Sequence, residues 1–171
     1  MTAGGNKILS NALGEETQRR QIREPFNTYD VVMKIEELDH SALVNATAIW
    51  SEADLTRPWN DPDEDFRRAL KGENSAVLGA FVNGELAGTV MVGDDGHRGW
   101  MYYLAVARGH RGEGIGRALV KAGENWLRSC GAVKVQLMVR NTNEQVAGFY
   151  RRLGYEDAQT TVLARWLDEE A

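Results

Sequence analysis

The sequence is poor in the residues that build disulfides and metal sites. Its 171 residues include one cysteine and three histidines. Cys130 alone excludes an intrachain disulfide, and with His40, His97 and His110 it cannot form a zinc site at the usual spacing. Cysteine of this abundance is typical of a reducing compartment, so we expect a cytoplasmic protein without a metal.

Long hydrophobic runs are missing as well. The longest, Ala76–Val82 and Leu86–Gly93, have the length of strands and are too short to cross a bilayer. Residues 1–14 lack the continuous apolar segment of a signal peptide. We therefore expect a soluble protein that has no membrane partner.

An excess of basic charge is absent too. Twenty Lys and Arg residues stand against 25 Asp and Glu residues, which gives a net charge of −5. This balance argues against nucleic acid as a partner. The length fits one domain, and the polar, aperiodic residues 1–28 read as an N-terminal arm before a domain over 29–171.

Hydrophobic periodicity and turn residues predict an α/β protein of the α+β type. The central mixed sheet would have six to seven strands and an antiparallel first half, with four helices. Asp39 or Ser41 can cap the first helix, Asp61 caps the second with Pro62 and Glu64 behind it, and Asn83-Gly84 predicts a hairpin. The predicted strands are Tyr29–Ile35, Ala76–Val82, Glu85–Val92, Trp100–Val106, Val133–Val139, Gly154-Tyr155 and Thr160–Trp166, and the last two helices are Ile115 to about Ser129 and Asn143–Leu153.

A glycine-rich turn follows the strand that ends at Val106. In Arg111-Gly112-Glu113-Gly114-Ile115-Gly116-Arg117, glycines at alternate positions let backbone N–H groups approach an anion closely. The helix that begins there adds free N–H donors and the positive end of its dipole. Arg111 and Arg117 can add charge-assisted hydrogen bonds. The turn therefore predicts a phosphate or diphosphate site.

The glycine turn fits two nucleotide-binding motifs poorly. The chain has no Gly-Lys-Ser/Thr, as a Walker-type nucleotide site would need, and Arg117 stands where a dinucleotide fingerprint needs glycine. Taken alone, the glycines could equally serve tight helix packing.

Two motifs in the right context make the assignment specific. Arg111-x-x-Gly114-x-Gly116, between a strand and a helix, resembles the R/Q-x-x-G-x-G/A signature of the GNAT acetyltransferases. Asn143-x-x-Val146-x-x-x-Tyr150-x-x-x-Gly154-Tyr155 resembles the second motif of that family, with Val146 in place of a small alanine. The resemblance covers roughly residues 30–167.

The resemblance implies acetyl-CoA as co-substrate and a parallel strand pair that splays apart in the middle of the sheet. Pantetheine would pair with the main chain of Leu104, Ala105 and Val106, and an N–H near Leu104 would polarise the thioester carbonyl. Asn143 would reach the pantetheine arm. The pyrophosphate would bind the N–H groups of the turn, whose residues are Arg111, Gly112, Glu113, Gly114, Ile115, Gly116 and Arg117.

Tyr150 is the candidate general acid. Acyl transfer to an amine expels a thiolate, and a phenol near the sulfur can protonate it. Without the family pattern, Tyr150 would be read as a core aromatic residue beside Phe149.

The acceptor site has weaker signals. Asp94, Asp95 and His97 lie in the turn before the central strand, where they could serve the acceptor or simply form the turn. Trp59 and Asn60 lie in the loop that often rims the acceptor pocket in this family. The stretches Leu55–Pro62 and Asp95–Gly99 also resemble the YpeA branch of the family.

The sequence therefore predicts an N-acetyltransferase that acts on an amine-bearing small molecule or protein. A CoA-binding regulatory or interaction domain without catalysis is the alternative, and a nucleotide binder is a third, disfavoured by the missing lysine. Thr160–Trp166 would offer an edge for strand pairing in a homodimer, and the oligomeric state stays open.

Overall fold

The computed structural model describes residues 32–167 and shows one mixed sheet with helices on both faces. The predicted arm over 1–28 and residues 29–31 of the first predicted strand lie outside this range. The elements in chain order are β1 Met33–Glu37, a 3₁₀ turn His40–Ala42, α1 Leu43–Glu52, α2 Pro62–Lys71, β2 Ser75–Val82, β3 Glu85–Asp94, β4 Gly99–Val106, a 3₁₀ turn Arg108–His110, α3 Ile115–Ser129, β5 Val135–Leu137 and α4 Glu144–Arg152.

The sheet confirms the predicted class and the antiparallel first half. Its strands lie in the order β1-β2-β3-β4-β5, with antiparallel pairs up to β4 and a parallel β4–β5 pair. Asn83 and Gly84 join β2 to β3 at φ angles of 51° and 87°, as the predicted two-residue hairpin requires.

Each face of the sheet carries its own hydrophobic layer. The helices α1 and α2 pack Trp50 and Phe66 against one face, and both side chains are fully buried. The helices α3 and α4 cover the other face, where Leu119 and Leu127 are fully buried.

Of the two helices on the first face, α2 begins at its predicted cap, whereas α1 begins after Ala42 without a side-chain cap. Asp61 Oδ1 accepts from the backbone N–H groups of Asp63 and Glu64, at 2.9 Å and 3.2 Å. Glu64 instead directs its carboxylate to Arg67, so the reciprocal half of a capping box is not formed. Asp39 caps the 3₁₀ turn before α1, and Ser41 donates to it.

The two C-terminal strand predictions are wrong for the described residues. Gly154, at φ 91°, ends α4 in the left-handed conformation, and Tyr155 packs beside that helix and donates to Glu124 on α3. The stretch 160–166 forms no strand, and its Leu163 side chain is 90% exposed. An apolar stretch forms a strand only where it pairs with a sheet edge, and the preceding strand in the chain, β5, has only three residues. The described sheet therefore has five strands.

A smaller difference lies at β5. This strand is shorter than the predicted Val133–Val139, since Val133 is 86% exposed and pairs with no strand. Cys130 is exposed at the end of α3. Within residues 32–167 no helix is both long and apolar enough to cross a membrane.

Candidate active site

The strands β4 and β5 are paired at one end only. Their pairs are Gly99–Val135, Trp100–Gln136 and Met101–Leu137, and β4 then runs on to Val106 without β5 beside it. A β-bulge at Tyr103, where φ is +48° and the β3–β4 register shifts, coincides with the parting of the strands. The predicted splayed pair is therefore present, at the end of the described sheet, and Leu104, Ala105 and Val106 lie along its open side.

The glycine turn continues from this open edge into α3. Gly112 and Gly114 have φ angles of +90° and +84°, and a Cβ added at either would meet no atom within 4 Å. Glycine is therefore needed at both positions for backbone conformation and not for close packing. Gly114 is the N-cap of α3 and no side chain caps the helix, so its first N–H groups are available to a ligand.

Gly116 differs from the other two glycines. It lies inside the first turn of α3, where an added Cβ would stand 3.5 Å from Phe149 Cζ and 3.7 Å from Val106 Cγ2. These are ordinary van der Waals distances, so neither close packing nor a left-handed φ requires glycine at position 116. Ile115 buries its side chain in the core and can offer only its backbone.

Charged side chains surround the turn. Arg111 donates from Nε to the backbone carbonyl of Val106 at 3.2 Å, which ties the turn to the end of β4. Glu113 places a carboxylate oxygen 3.0 Å from Nδ1 of His110. Arg117 is exposed on the first turn of α3. The turn thus joins basic side chains and free N–H donors, with its acidic residue paired to a histidine.

Tyr150 on α4 combines burial with an unpaired hydroxyl. Its residue is 8% exposed, and its ring makes edge contacts with Phe149 and Tyr155, at centroid distances of 5.1 Å and 5.4 Å. No group within residues 32–167 hydrogen-bonds to the Tyr150 hydroxyl. Every fully buried side-chain N or O atom in this range has a partner, so the unpaired hydroxyl must be accessible to solvent. Burial raises the pKa of Tyr150 to about 12, which keeps the phenol protonated at neutral pH.

Asn143 serves first as the N-cap of α4. Its Oδ1 accepts from the backbone N–H of Val146 at 3.1 Å. The side-chain amide nitrogen remains as a donor at the start of α4.

Asp94 and Asp95 line an open cavity of about 410 Å³ together with Glu73, Trp100 and Tyr102. Asp95 is held by the N–H groups of Arg98 and His97 and by the indole N–H of Trp100, at 2.6, 2.8 and 2.9 Å. These bonds, chiefly that from the Arg98 backbone, lower the pKa of Asp95 to about 2. The turn-forming interpretation therefore applies to Asp95.

The other acceptor candidates lie elsewhere. His97 is exposed on the same turn and does not line the cavity. Asn60 lines a second open cavity of about 670 Å³ between α1 and the loop before α2, and Trp59 beside it is 62% exposed. The structure therefore separates the five predicted acceptor residues into two regions.

Tyr103 is a residue of this region that the sequence did not single out. Its ring stacks on Trp50 at a centroid distance of 4.0 Å, and its hydroxyl donates to Asp65 Oδ2 at 2.7 Å. Burial and the Asp65 carboxylate raise the pKa of Tyr103 to about 12. A tyrosine inside a strand pattern gives no sign of such a bulge. Among the described residues, no group of three or more His, Cys, Asp and Glu side chains could hold a metal ion.

Comparison with known proteins matches both the sequence motifs and the fold. A model of the acetyltransferase (GNAT) family matches residues 42–155, well over half of the chain. The aminoglycoside acetyltransferase AAC(6′)-Iy, solved with the bisubstrate analog CoA-S-monomethyl-acetylneamine, aligns with a TM-score of 0.69 and 16% identity over 79% of this chain and 98% of its own. A ribosomal-protein-alanine N-acetyltransferase from Brucella melitensis biovar Abortus 2308 aligns with a TM-score of 0.65 and 21% identity, over 79% of this chain and 99% of its own. Glucosamine-6-phosphate N-acetyltransferase from Arabidopsis thaliana aligns with a TM-score of 0.59 and 21% identity, over 80% of this chain and 99% of its own. These likenesses show the fold, and the names of the three proteins point to different acceptors.

Proposed function

This chain belongs to the GNAT acetyltransferase family, and we propose that it transfers the acetyl group of acetyl-CoA directly to a primary amine. The observation that carries the proposal is the continuity of three features. The open edge of β4 leads into the uncapped start of α3, and the unpaired hydroxyl of Tyr150 belongs to the helix that packs on the same face. A donor thioester with a long polar arm and a diphosphate needs these three kinds of group.

The donor would be held mainly by main-chain groups. The N–H groups of Gly112, Gly114 and Gly116 would bind the pyrophosphate, with Glu113 and Ile115 contributing backbone only. Arg117 and the terminal nitrogens of Arg111 would add charge. The open edge at Leu104, Ala105 and Val106 would pair with the pantetheine arm, and the Asn143 amide would donate to it.

A side chain would then supply the proton that the leaving sulfur needs. The amine nitrogen attacks the thioester carbonyl carbon, the C–S bond breaks, and the sulfur leaves with its electron pair. Tyr150 donates its phenolic proton to that sulfur, while the amine gives up a proton to solvent as the amide forms. The N–H of Leu104 would stabilise the oxygen that becomes negative on the way.

For the acceptor we favour the cavity of Asp94 over the loop of Trp59 and Asn60. The rings of Trp100 and Tyr102 stack in the wall of this cavity, with centroids 6.2 Å apart and an interplanar angle of 13°. Tyr102 directly follows the last residue of β4 that pairs with β5. Ring faces beside carboxylates suit a cationic amine. Asp95 would support this wall through its bond to Trp100, and His97 would stand at the rim.

A thiol-release assay against a broad amine panel, combined with calorimetric binding of acetyl-CoA, tests the proposal. Amine-dependent release of CoA thiol supports it. Binding of acetyl-CoA without turnover across the panel would instead indicate the non-catalytic CoA-binding domain. Stabilisation by ATP but not by acetyl-CoA would overturn the donor assignment.

We also propose, on the stretches Leu55–Pro62 and Asp95–Gly99, that the chain belongs to the YpeA branch of the family.

We propose in addition that the chain forms a homodimer. The outer edge of β5 carries no strand within residues 32–167, and the same range ends in an unpaired segment with Val162, Leu163 and Trp166 exposed. In a dimer, the open edge of β5 in one copy would pair with the apolar C-terminal segment of the other copy. Light scattering that gives the monomer mass at micromolar concentration would rule the dimer out.

A further inference from the structure

Thr89 is the one buried polar residue between residues 32 and 167. It lies in β3 and is fully buried between α1 and β4. Its neighbours in the strand, Val90 and Ala87 among them, are apolar. A hydroxyl in such a place is unfavourable unless its hydrogen bonds are made, so its partners indicate why it is there.

Both hydrogen-bonding capacities of the Thr89 hydroxyl are used. The indole Nε1 of the fully buried Trp50 donates to Thr89 Oγ1 at 2.7 Å. Thr89 Oγ1 in turn donates to the backbone carbonyl of Tyr103 at 3.3 Å. A chain of two bonds thus runs from α1 through β3 to β4.

The end of this chain is a strained residue. Tyr103 is the only non-glycine residue in the described strands with a positive φ, at +48°. Such a conformation persists only where its surroundings over-determine it. Here Thr89 holds the carbonyl, Trp50 stacks on the ring and Asp65 accepts from the hydroxyl.

The position of the bulge links it to the proposed chemistry. Tyr103 directly precedes Leu104, whose N–H belongs to the peptide unit that contains the Tyr103 carbonyl. Fixing that carbonyl therefore fixes the direction of the Leu104 N–H, because the peptide unit is planar. The last residue of β4 that pairs with β5 is Met101, two residues before Tyr103.

We propose that Thr89 is a positioning residue for acetyl transfer, which uses its bond to the Tyr103 carbonyl to aim the Leu104 N–H at the thioester oxygen. This inference rests on the proposed function. It differs from a stability role because it concerns the orientation of one donor, and not the packing of the sheet.

Isosteric substitution separates the two roles. Thr89→Val keeps the β-branched shape and removes the hydroxyl, whereas Thr89→Ser keeps the hydroxyl. We expect Thr89→Val to lower kcat about tenfold to a hundredfold. This loss is no larger than the loss of kcat on removing an entire oxyanion-hole donor, because the Leu104 N–H stays in place but is less well aimed. The Kd of acetyl-CoA and the KM of the amine should change by less than about twofold, and Thr89→Ser should retain most of the activity.

Val77→Ala provides the matched control for lost stability. Val77 is fully buried in the same hydrophobic layer and takes no part in the hydrogen-bonded chain. This variant should unfold more easily while keeping kcat. Equal losses of kcat in Thr89→Val and Val77→Ala, or unchanged kcat in Thr89→Val, would overturn the inference.

A second readout does not need turnover. In wild-type protein, the NMR amide shift of Leu104 should differ between the acetyl-CoA and CoA complexes, and this difference should be lost in Thr89→Val. Its absence from the wild type would overturn the inference, even if amines are acetylated. Failure of the wild type to bind acetyl-CoA at all would overturn the proposed function and the inference together.

Discussion

His110 Nδ1 lies 3.0 Å from Glu113 Oε2, so the acidic residue of the glycine turn is held by the histidine that directly precedes the turn. Under the proposed function this carboxylate opposes the bound pyrophosphate. Glu113→Gln should therefore tighten acetyl-CoA binding, and His110→Ala, which leaves the carboxylate unpaired, should weaken it. Both side chains are partly exposed. We therefore expect about 0.3–1 kcal/mol, or roughly twofold to fivefold in Kd, by calorimetry at low salt. Shifts of the same sign in both variants would contradict this.

The glycines of the turn should respond differently to alanine. Gly114→Ala forces a left-handed φ on a residue with a side chain, so we expect a loss of about 1–2 kcal/mol in unfolding free energy and weaker acetyl-CoA binding. Gly109→Ala is the matched control, because Gly109 has open space around it and no left-handed φ. Denaturant unfolding and calorimetry on both variants check this, and equal behaviour of the two would refute it.

Tyr150→Phe should lower kcat roughly 10²- to 10⁴-fold and leave acetyl-CoA affinity unchanged, since only the acid is removed. Tyr155→Phe should lose stability, because the bond to Glu124 at 3.0 Å is broken, but should keep kcat. Burial raises the pKa of Tyr150 to about 12. The phenol therefore keeps its proton until the pH nears that value, and an inflection of the wild-type pH–rate profile between pH 6 and 9 should persist in Tyr150→Phe. An unchanged kcat would remove Tyr150 from the mechanism.

Asp95 should make stability depend on pH in the acid range. Its pKa is lowered from 3.8 to about 2, so the fold favours the carboxylate. The stability that its bonds confer is fully present above pH 3.8 and is lost as the pH falls towards 2. The difference in unfolding free energy between wild type and Asp95→Asn should shrink over this interval in denaturant titrations. Trp100→Phe removes one donor and should weaken the effect, and a difference that does not vary with pH would contradict the assignment.

Local signals in the sequence located the turn and the helix to which we assign the donor. The helix from Ile115 to Ser129 begins and ends where the glycine turn and Gly131 place its caps, and Asn83-Gly84 forms the predicted hairpin. These features depend on residues next to each other in the chain, so a pattern can identify them.

The bulge and the last strands could not be found in this way. Tyr103 takes its conformation from Thr89, Trp50 and Asp65, each of which is distant in sequence. The apolar pattern over 160–166 indicates a strand but not the edge that would accept it. The candidate acceptor residues share only a loop position in the sequence, and the fold places Asn60 at one cavity and Asp94 and Asp95 at another.

The left-handed Gly112 and Gly114 have a consequence for how such an enzyme can diverge. Under the proposed function the donor is recognised through main-chain groups, which place few demands on side-chain identity beyond the glycines themselves. The loop before α2 and the turn before β4 are then free to vary by substitution while the donor site is inherited unchanged. A lineage built in this way can exchange one acceptor for another and retain its chemistry.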